Sequence, residues 1–333
     1  MAADFLRLSG YQDIPAHLRG AVVAIGNFDG VHRGHQAVLA RALEIAEERQ
    51  APAVVLTFEP HPRTIFRPDI PLFRLTPAPM KARLLRAMGF DAVVEQPFTR
   101  EFSSLSAERF VAEVLVGGLG ACHIVVGFDF HYGKGRGGSP ETLGVAGEAY
   151  GFGVTVMDAF SDEGGEVVSS SRIRGLLTEG DVAQAAGLLG YRYTVEAEVT
   201  GGKKLGRTLG FPTANMSLPE ESGLRHGIYA VRFRRADGTL RDGVANYGRR
   251  PTVDENGAAL LETFVFDFDG DLYGETCAVS LFGFLRGEVK FDGLDALVAQ
   301  MKRDEEEARA LLAGVRPISE LDMKVAFKHS DVE

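Results

Sequence analysis

The first half of the chain alternates between short apolar runs and segments with the period of a helix. Residues 36–49 place apolar side chains three and four positions apart, which predicts an amphipathic helix. A second helix is predicted to begin after Ser106, a favourable cap, and to end at Gly117 and Gly118. Buried strands are predicted at residues 21–28, 53–58, 123–128 and 154–159. Strands and helices in alternation predict a parallel sheet with helices on both faces, the doubly wound α/β class.

From Arg192 onward the pattern changes to consecutive strands. Strands are predicted at residues 193–199, 227–233, 244–247, 260–268 and 276–285, most of them bounded by Gly, Pro, Asp or Asn. With no helix between them, they indicate an antiparallel β-barrel or sandwich. Residues 294–312 then form one helix, which we expect to pack on the barrel through Leu297, Met301, Ala308 and Leu312. The change of period lies between Gly187 and Tyr193, so we predict two domains, residues 1–187 and 188–333.

The composition is that of an ordinary globular protein, with 45% hydrophobic and 25% charged residues. A net charge of −10 argues against nucleic acid or an anionic membrane as the main partner. No apolar segment reaches the ~20 residues that a transmembrane helix needs, and no signal segment is evident. Cys122 and Cys277 are too far apart in sequence to suggest a zinc site or a disulfide framework. We expect a cytoplasmic protein that binds neither nucleic acid nor membranes and forms at most a weak homo-oligomer.

A glycine-rich turn with two histidines follows the first predicted strand, in residues 25–35 (IGNFDGVHRGH). Ligands of doubly wound folds bind at the carboxyl ends of strands, and glycines let the backbone approach a phosphate. His32 and His35 are three positions apart, so at the start of a helix their rings can point the same way. Two such donors suit a phosphoryl group that gains charge in a transition state. From the residues alone, the alternative is a turn with two surface histidines.

This string resembles the nucleotidyltransferase superfamily, whose signature is a strand followed by an HxGH turn. Its form GNFDGVHRGH is more particular and resembles the FMN adenylyltransferase domain of bacterial bifunctional riboflavin kinase/FAD synthetases. Further matches are TFEPHP at 57–62, VGFDF at 126–130 and SSSRIR at 169–174. The resemblance implies a Rossmann-like domain in which His32 and His35 are catalytic.

The resemblance also implies two sets of binding residues in this domain. The implied ATP-binding residues are Gly26, Asn27, Phe28, Asp29, Gly30, His32, Gly34, His35, Ser169, Ser170, Ser171, Arg172 and Arg174. The implied flavin-binding residues are Phe58, Pro60, His61 and Asp129. Ser171 stands where the family has Thr and keeps the hydroxyl. Asp129, taken alone, is also typical of an exposed carboxylate at a strand end.

A second polar constellation lies in residues 202–215 (GKKLGRTLGFPTAN) and in the predicted strand 260–268 (LLETFVFDF). Thr213 and Asn215 project to the same face of an extended segment and offer the hard oxygen ligands that Mg²⁺ prefers. Alternation puts Glu262 on one face, predicted to be interior, with Phe264, Phe266 and Phe268. A carboxylate in such surroundings is either paired structurally or held as a general base. A polar strand end is the alternative for Thr213 and Asn215.

The string GRTLGFPTAN resembles the riboflavin kinase signature, and GVANYGRRPT, LETF and FLRGEVKF follow it in the family's order. The resemblance implies that Thr213 and Asn215 bind Mg²⁺ with ATP, and that Glu262 accepts the proton of the riboflavin hydroxyl. The implied ATP-binding residues are Gly202, Lys204, Gly206, Arg207, Gly210, Thr213 and Asn215. The implied flavin-binding residues are Arg286, Glu288 and Phe291.

Together the two resemblances imply a transferase with two active sites. The barrel with its packed helix would phosphorylate riboflavin with ATP and Mg²⁺ to give FMN, and the α/β domain would adenylylate FMN with a second ATP, giving FAD and pyrophosphate. One alternative is a flavin-binding regulator whose transferase sites have decayed. The presence of all five proposed catalytic and metal-binding residues (His32, His35, Thr213, Asn215 and Glu262) argues against it. Another alternative, a nucleotidyltransferase with a different substrate, is disfavoured by the barrel pattern and the PTAN string.

Overall fold

The computed structural model describes residues 5–201, 213–248 and 259–327. The chain divides into two compact units, Met1–Ser170 and Ser171–Glu333. The predicted boundary at 187/188 falls 17 residues later than this division. The difference arises because two helices that precede the barrel in sequence are grouped with it. Where the chain can be cut into independent domains therefore stays a prediction.

The first unit is built on a six-stranded parallel sheet. Its strands are β1 (Leu6–Ser9), β2 (Val22–Ile25), β3 (Ala53–Glu59), β4 (Ala92–Pro97), β5 (His123–Gly127) and β6 (Gly153–Met157). Their order across the sheet is β1-β4-β3-β2-β5-β6. The chain thus proceeds to one side from β2 through β3 and returns to the other side at β5. The predicted doubly wound sheet is confirmed, with β1 and β4 as strands that the pattern did not show.

Helices connect the strands of this sheet. They are α1 (Arg33–Arg49), α2 (Pro62–Phe66), α3 (Ala78–Met88), α4 (Ala107–Arg109) and α5 (Pro140–Tyr150). Ser106 caps α4 by accepting a hydrogen bond from the backbone N–H of Arg109, as predicted. The helix continues from α4 as a wider π-type helix over Phe110–Gly118. It therefore ends at Gly117 and Gly118, as the sequence predicted.

The second unit is a closed antiparallel barrel preceded by α6 (Ser170–Glu179) and α7 (Val182–Leu189). Its strands are β7 (Thr194–Thr200), β8 (Thr213–Ser217), β9 (Gly227–Arg234), β10 (Leu240–Gly248), β11 (Leu260–Val265) and β12 (Thr276–Arg286), ordered β10-β11-β8-β7-β12-β9. The long helix α8 (Leu294–Gly314) and the short α9 (Glu320–Asp322) follow. Of the predicted apolar stripe of α8, Ala308 and Leu312 are buried against the outside of the barrel, whereas Leu297 and Met301 are half-buried.

One prediction about the barrel is wrong. The strand predicted at 260–268 ends at Val265, and Asp267 adopts a left-handed backbone with φ of 54°. The barrel interior receives Leu261, Thr263 and Val265, each at most 5% exposed. Glu262 and Phe264 therefore point to the outer face, where Phe264 packs with the residues that contact α8. Alternation separates the two faces of a strand, but here both faces are covered, so hydrophobicity did not tell which one is inside.

Candidate functional sites

The turn after β2 holds the histidine string in a strained conformation at the carboxyl edge of the sheet. Phe28 and Val31 have left-handed φ values of 47° and 40°, and Gly30 has a φ of 93°. For a β-branched residue such as Val31 this region is unusual. Gly26 is tightly packed, because a Cβ there would lie 3.0 Å from the ring of Phe28. The turn lies beside the point where the strand order reverses, which is the place where doubly wound folds bind ligands.

The two histidines lie together at the start of α1. Their rings stack with centroids 3.6 Å apart, and His32 caps the helix by accepting the backbone N–H of His35 at its Nδ1. A neutral His32 then carries its proton on Nε2, where it can donate. Burial lowers the pKa of His35 well below its usual value, with smaller contributions from His32 and Lys81. Both rings are thus placed as predicted, and His35 is uncharged at neutral pH.

Asp29 holds the turn in place. Its side chain is 2% exposed, and Oδ1 accepts backbone hydrogen bonds from Leu75 and Thr76 at 3.0 and 3.1 Å. The hydroxyl of Thr76 in return accepts the backbone N–H of Gly30 at 2.8 Å. This carboxylate therefore binds the protein's own backbone, and its predicted contact with ATP stays a prediction. Asn27 is exposed and Gly34 half-buried in the same segment.

The predicted flavin-binding residues lie along the same edge of the sheet. Phe58, near the end of β3, is 8% exposed and packs its ring against Phe98 and Phe102. Pro60 follows a cis peptide bond, and His61 caps α2 by accepting the backbone N–H of Arg63 at 3.1 Å. Asp129 is exposed just after β5. The structure thus brings these residues to strand ends, with Phe58 mostly inside an aromatic cluster.

The serine string begins at the end of the first unit. Ser169 and Ser170 are half-buried, and the hydroxyl of Ser170 donates to the backbone carbonyl of Asp29 at 2.8 Å. Ser171, Arg172 and Arg174 follow in the first half of α6. The link from Ser170 to the histidine turn agrees with the predicted neighbourhood, and the roles of Ser171, Arg172 and Arg174 stay predictions.

In the barrel, strand register sets a row of polar side chains on the outer face. Glu262 of β11 lies directly opposite Asn215 of β8 on one side and Asn246 of β10 on the other. Thr200 of β7 pairs with Asn215 and extends the row. Thr213 lies two residues before Asn215, hence on the same face, and opposite Phe264. The structure therefore brings Thr213, Asn215 and Glu262 together on one face of the barrel.

Two amide oxygens of this row receive no hydrogen bond from the residues that the structure describes. The Oδ1 atoms of Asn215 and Asn246 are buried, and no described residue donates a hydrogen bond to either. A buried acceptor without a donor is costly, so such an atom is typical of a place that a ligand fills. Sequence reasoning did not single out Asn246 as a candidate site residue, although it stands in the GVAN string. It is identified in the structure by its position on β10, directly opposite Glu262 of β11.

The predicted flavin-binding residues of the barrel lie at the end of β12 and in the loop before α8. Arg286 pairs with the buried Asp304 at 2.8 and 2.6 Å and lies 5.9 Å from the ring of Phe291. The carboxylate of Glu288 lies where a Cβ on Gly248 would stand, two residues beyond Asn246. Five further predicted residues, Gly202, Lys204, Gly206, Arg207 and Gly210, lie outside the described residues.

Within the described ranges no cluster of three or more His, Cys, Asp or Glu side chains could hold a metal. The threonine hydroxyl and asparagine amide of β8 are not of those types, but they are hard oxygen donors suited to Mg²⁺. The buried Oδ1 of Asn215, which has no donor from the described protein, fits such an ion. Also within those ranges, no helix has the length and apolar character to cross a bilayer.

The fold and the two sites define a class of protein: a two-domain transferase with a nucleotidyl-transfer site on the α/β unit and a second nucleotide site on the barrel. Family models agree, since that of FAD synthetase matches residues 14–172 and that of riboflavin kinase matches residues 189–312. The chain belongs to the family of bifunctional riboflavin kinases/FMN adenylyltransferases. It phosphorylates riboflavin to FMN with ATP and adenylylates FMN to FAD with release of pyrophosphate.

Individual relatives cover almost the whole chain. The bifunctional riboflavin kinase/FMN adenylyltransferase of Pseudomonas fluorescens is 43% identical over 299 residues, 90% of this chain and 95% of the relative. The enzyme of the same description from Listeria monocytogenes is 40% identical over 299 residues, 88% of this chain and 92% of the relative. A crystal structure described as a macrolide-efflux protein from Streptococcus pneumoniae superposes with a TM-score of 0.79 at 32% identity, covering 92% of this chain and 98% of that one.

Proposed function

We propose that His32 and His35 are the catalytic residues of adenylylation. In this step an oxygen of the FMN phosphate attacks the α-phosphorus of ATP, and the bond from that phosphorus to the bridging oxygen breaks as pyrophosphate leaves. The α-phosphoryl oxygens gain negative charge on the way, and N–H donors placed against them stabilise that charge. Support comes from the stacked pair at the carboxyl end of β2, with a neutral His35.

The remaining N-terminal assignments follow from the same placement. Gly26 and Gly30 let the backbone approach the phosphates, and the first turn of α1 supplies N–H groups. Phe58, Pro60, His61 and Asp129 lie at the carboxyl ends of β3 and β5, the strands on either side of β2, and are assigned to the flavin. Ser169 and Ser170, with Ser171, Arg172 and Arg174 after them, are assigned to the triphosphate.

For phosphorylation, we propose that Glu262 is the general base. It accepts the proton from the riboflavin hydroxyl as that oxygen attacks the γ-phosphorus of ATP and ADP leaves. The single observation that carries this assignment is the register that puts Glu262 between Asn215 and Asn246, both with buried amide oxygens that no described residue satisfies. Arg286, Glu288 and Phe291 are assigned to the flavin side.

Thr213 and Asn215 would hold Mg²⁺ through their oxygens. When bound, this ion would supply positive charge that neutralises the phosphate oxygens of ATP. The chain's own part is to fix the two donors on one face of β8, two residues apart, beside Glu262. The substrates and products in contact with the protein are riboflavin, FMN, FAD and ATP. We propose a cytoplasmic enzyme without nucleic-acid or membrane partners, which agrees with the net charge of −10.

A crossed experiment tests these roles. The full chain and its His35→Ala and Glu262→Gln variants are each given riboflavin, ATP and Mg²⁺, and in parallel FMN, ATP and Mg²⁺. Chromatography then measures FMN and FAD. We expect His35→Ala to form FMN and accumulate it, with adenylylation slower by about a hundredfold. Glu262→Gln should still convert supplied FMN to FAD. If His35→Ala makes FAD at the rate of the unchanged chain, the histidine assignment is wrong.

A further inference from the structure

A lysine side chain is buried directly behind the histidine turn. Lys81 lies in α3 and is 1% exposed. Its Nζ donates to the carbonyl of Asn27 at 3.0 Å and to the hydroxyl of Thr57 at 2.9 Å, and it pairs with Glu59 at 2.9 Å. An ammonium has three hydrogens, and these three acceptors use all of them. The Thr57 hydroxyl in turn donates to the same carbonyl of Asn27 at 3.2 Å.

The charge of this lysine is compensated by a closed ionic group. Glu59 receives both Lys81 and a bidentate Arg74, whose guanidinium also reaches Asp29 at 3.4 Å. Burial alone would raise the pKa of Glu59, but the two cations together lower it to about 2. Two cations, Lys81 and Arg74, and two anions, Glu59 and Asp29, thus meet behind the turn. Lys81 holds the turn at the carbonyl of Asn27, and the carboxylate of Asp29 holds it two residues further on.

The turn held in this way is the strained one. Phe28 and Val31, with φ values of 47° and 40°, lie between the fixed carbonyl of Asn27 and the first histidine. Non-glycine residues keep such a conformation only where the surroundings determine it strongly. Since His32 directly follows Val31, a relaxed turn would move the histidine pair.

We propose that Lys81 is a positioning residue for FMN adenylylation, which holds the turn of Asn27 and so fixes His32 and His35 against the reacting phosphate. The inference rests on the catalytic role proposed for the histidines. Lys81 does not touch the substrates in this arrangement, because its three hydrogens are all bound within the protein. The ammonium also contributes, after burial and His32, to the lowered pKa of His35, and thereby favours the neutral ring.

The test measures adenylylation of FMN by the full chain carrying Lys81→Met. A displacement of about 1 Å can cost about a hundredfold in rate, so we expect kcat to fall by that order. The KM for FMN should stay within about threefold, because the residues assigned to the flavin lie outside this turn. Phosphorylation of riboflavin by the same preparation gives the enzyme concentration. A folded Lys81→Met chain with kcat within about threefold of the unchanged chain would overturn the proposal.

A milder pair of variants decides the question if Lys81→Met does not fold. Thr57→Val removes the hydroxyl that joins Lys81 to the Asn27 carbonyl but keeps the side-chain volume, whereas Thr57→Ser keeps the hydroxyl. We expect kcat to fall about tenfold in the first and to stay near the original in the second. Equal kcat values for the two variants would overturn the proposal. His123→Asn is the matched control, since this histidine is also buried but lies at the opposite end of the sheet, and its kcat should be unchanged.

A double variant separates the positioning role from the histidine assignment. If Lys81 acts through the histidines, adding Lys81→Met to His35→Ala should lower kcat much less than it does in the unchanged chain. Full additivity of the two losses would overturn the positioning role. Full adenylylation by His35→Ala alone would instead refute the catalytic role of that histidine, and is a different result from full adenylylation by Lys81→Met.

Discussion

Replacing Glu262 with glutamine tests the phosphorylation site at its centre. The change removes the negative charge and the proton acceptor but keeps the size of the side chain. Facing residues on neighbouring antiparallel strands have Cβ atoms about 5 Å apart, so Asn215 and Asn246 flank the altered group and hold its place. Glu262 is half-buried on the outer face, and a glutamine there needs no repacking of the barrel interior.

The expected loss follows from the role. A general base contributes about 10² to 10⁴ in rate, which corresponds to about 3 to 5 kcal/mol of activation free energy. Because the base is used only when the hydroxyl attacks, kcat should fall while KM for riboflavin changes little. Adenylylation of supplied FMN should stay within about twofold, since the other site belongs to the other unit.

The assay follows FMN formed from riboflavin and ATP by chromatography, with supplied FMN as the parallel substrate. Glu275→Gln is the matched control, because this carboxylate of the same unit pairs with Arg235, and the polar row does not include it. Phosphorylation by the control should be unchanged. If Glu262→Gln phosphorylates riboflavin within a few-fold of the unchanged chain, the carboxylate has a structural role and the base must be sought elsewhere.

Three further predictions concern the metal, the ionic group and the domain boundary. Asn215→Leu should raise the Mg²⁺ concentration for half-maximal phosphorylation at least tenfold. Thr263→Val, on the interior face of the same barrel, is the control and should leave that concentration unchanged. Equal effects of the two variants in a Mg²⁺ titration would refute the metal role. The pKa of Glu59 is about 2 in the folded chain against an ordinary 4.5, so its stabilisation, on the order of 3 kcal/mol, should be present above about pH 4.5 and be lost as the pH falls toward 2. Denaturant unfolding of Glu59→Gln beside the unchanged chain should show a difference that shrinks over that range, and a constant difference would contradict it. A fragment beginning at Ser171 and one beginning at Tyr191 should both make FMN and no FAD. The shorter fragment should melt at a lower temperature, because it lacks α7, which packs on β12. Equal melting temperatures would show that α7 does not stabilise the barrel.

Both candidate sites could be placed in the fold from the sequence because each lies in a local string. The turn at residues 25–35 joins a strand to a helix, so its place at the carboxyl edge of a parallel sheet follows from the order of elements alone. The shared face of Thr213 and Asn215 follows from the period of two. Their proximity to Glu262 depends on the pairing register of β8 and β11. This register could not be predicted from the local strings and is seen only in the folded barrel.

Other features depend on contacts that no local pattern encodes. The lysine of α3 stands in the string PMKARLL, where a charged residue is typical of a solvated helix face, yet it is buried against residues 24 and 54 positions away. The outward orientation of Glu262 was missed because a strand covered by a helix is apolar on both faces. The short helices α6 and α7 are grouped with the barrel, although their helical period continues that of the first unit, so the sequence pattern did not show this grouping.

The two sites are held in place by different means, and this difference has a mechanistic consequence. At the sheet edge a strained turn carries the histidines, and side chains of α3, β3 and the segment before α3 determine its shape. In the barrel the functional groups lie on paired strands, so backbone hydrogen bonds on both sides fix each of them. Substitutions behind the turn should therefore weaken adenylylation without touching a substrate. In the barrel, by contrast, substitutions on the interior face should affect stability before phosphorylation, because the backbone ladder and not side-chain packing sets the spacing of the row.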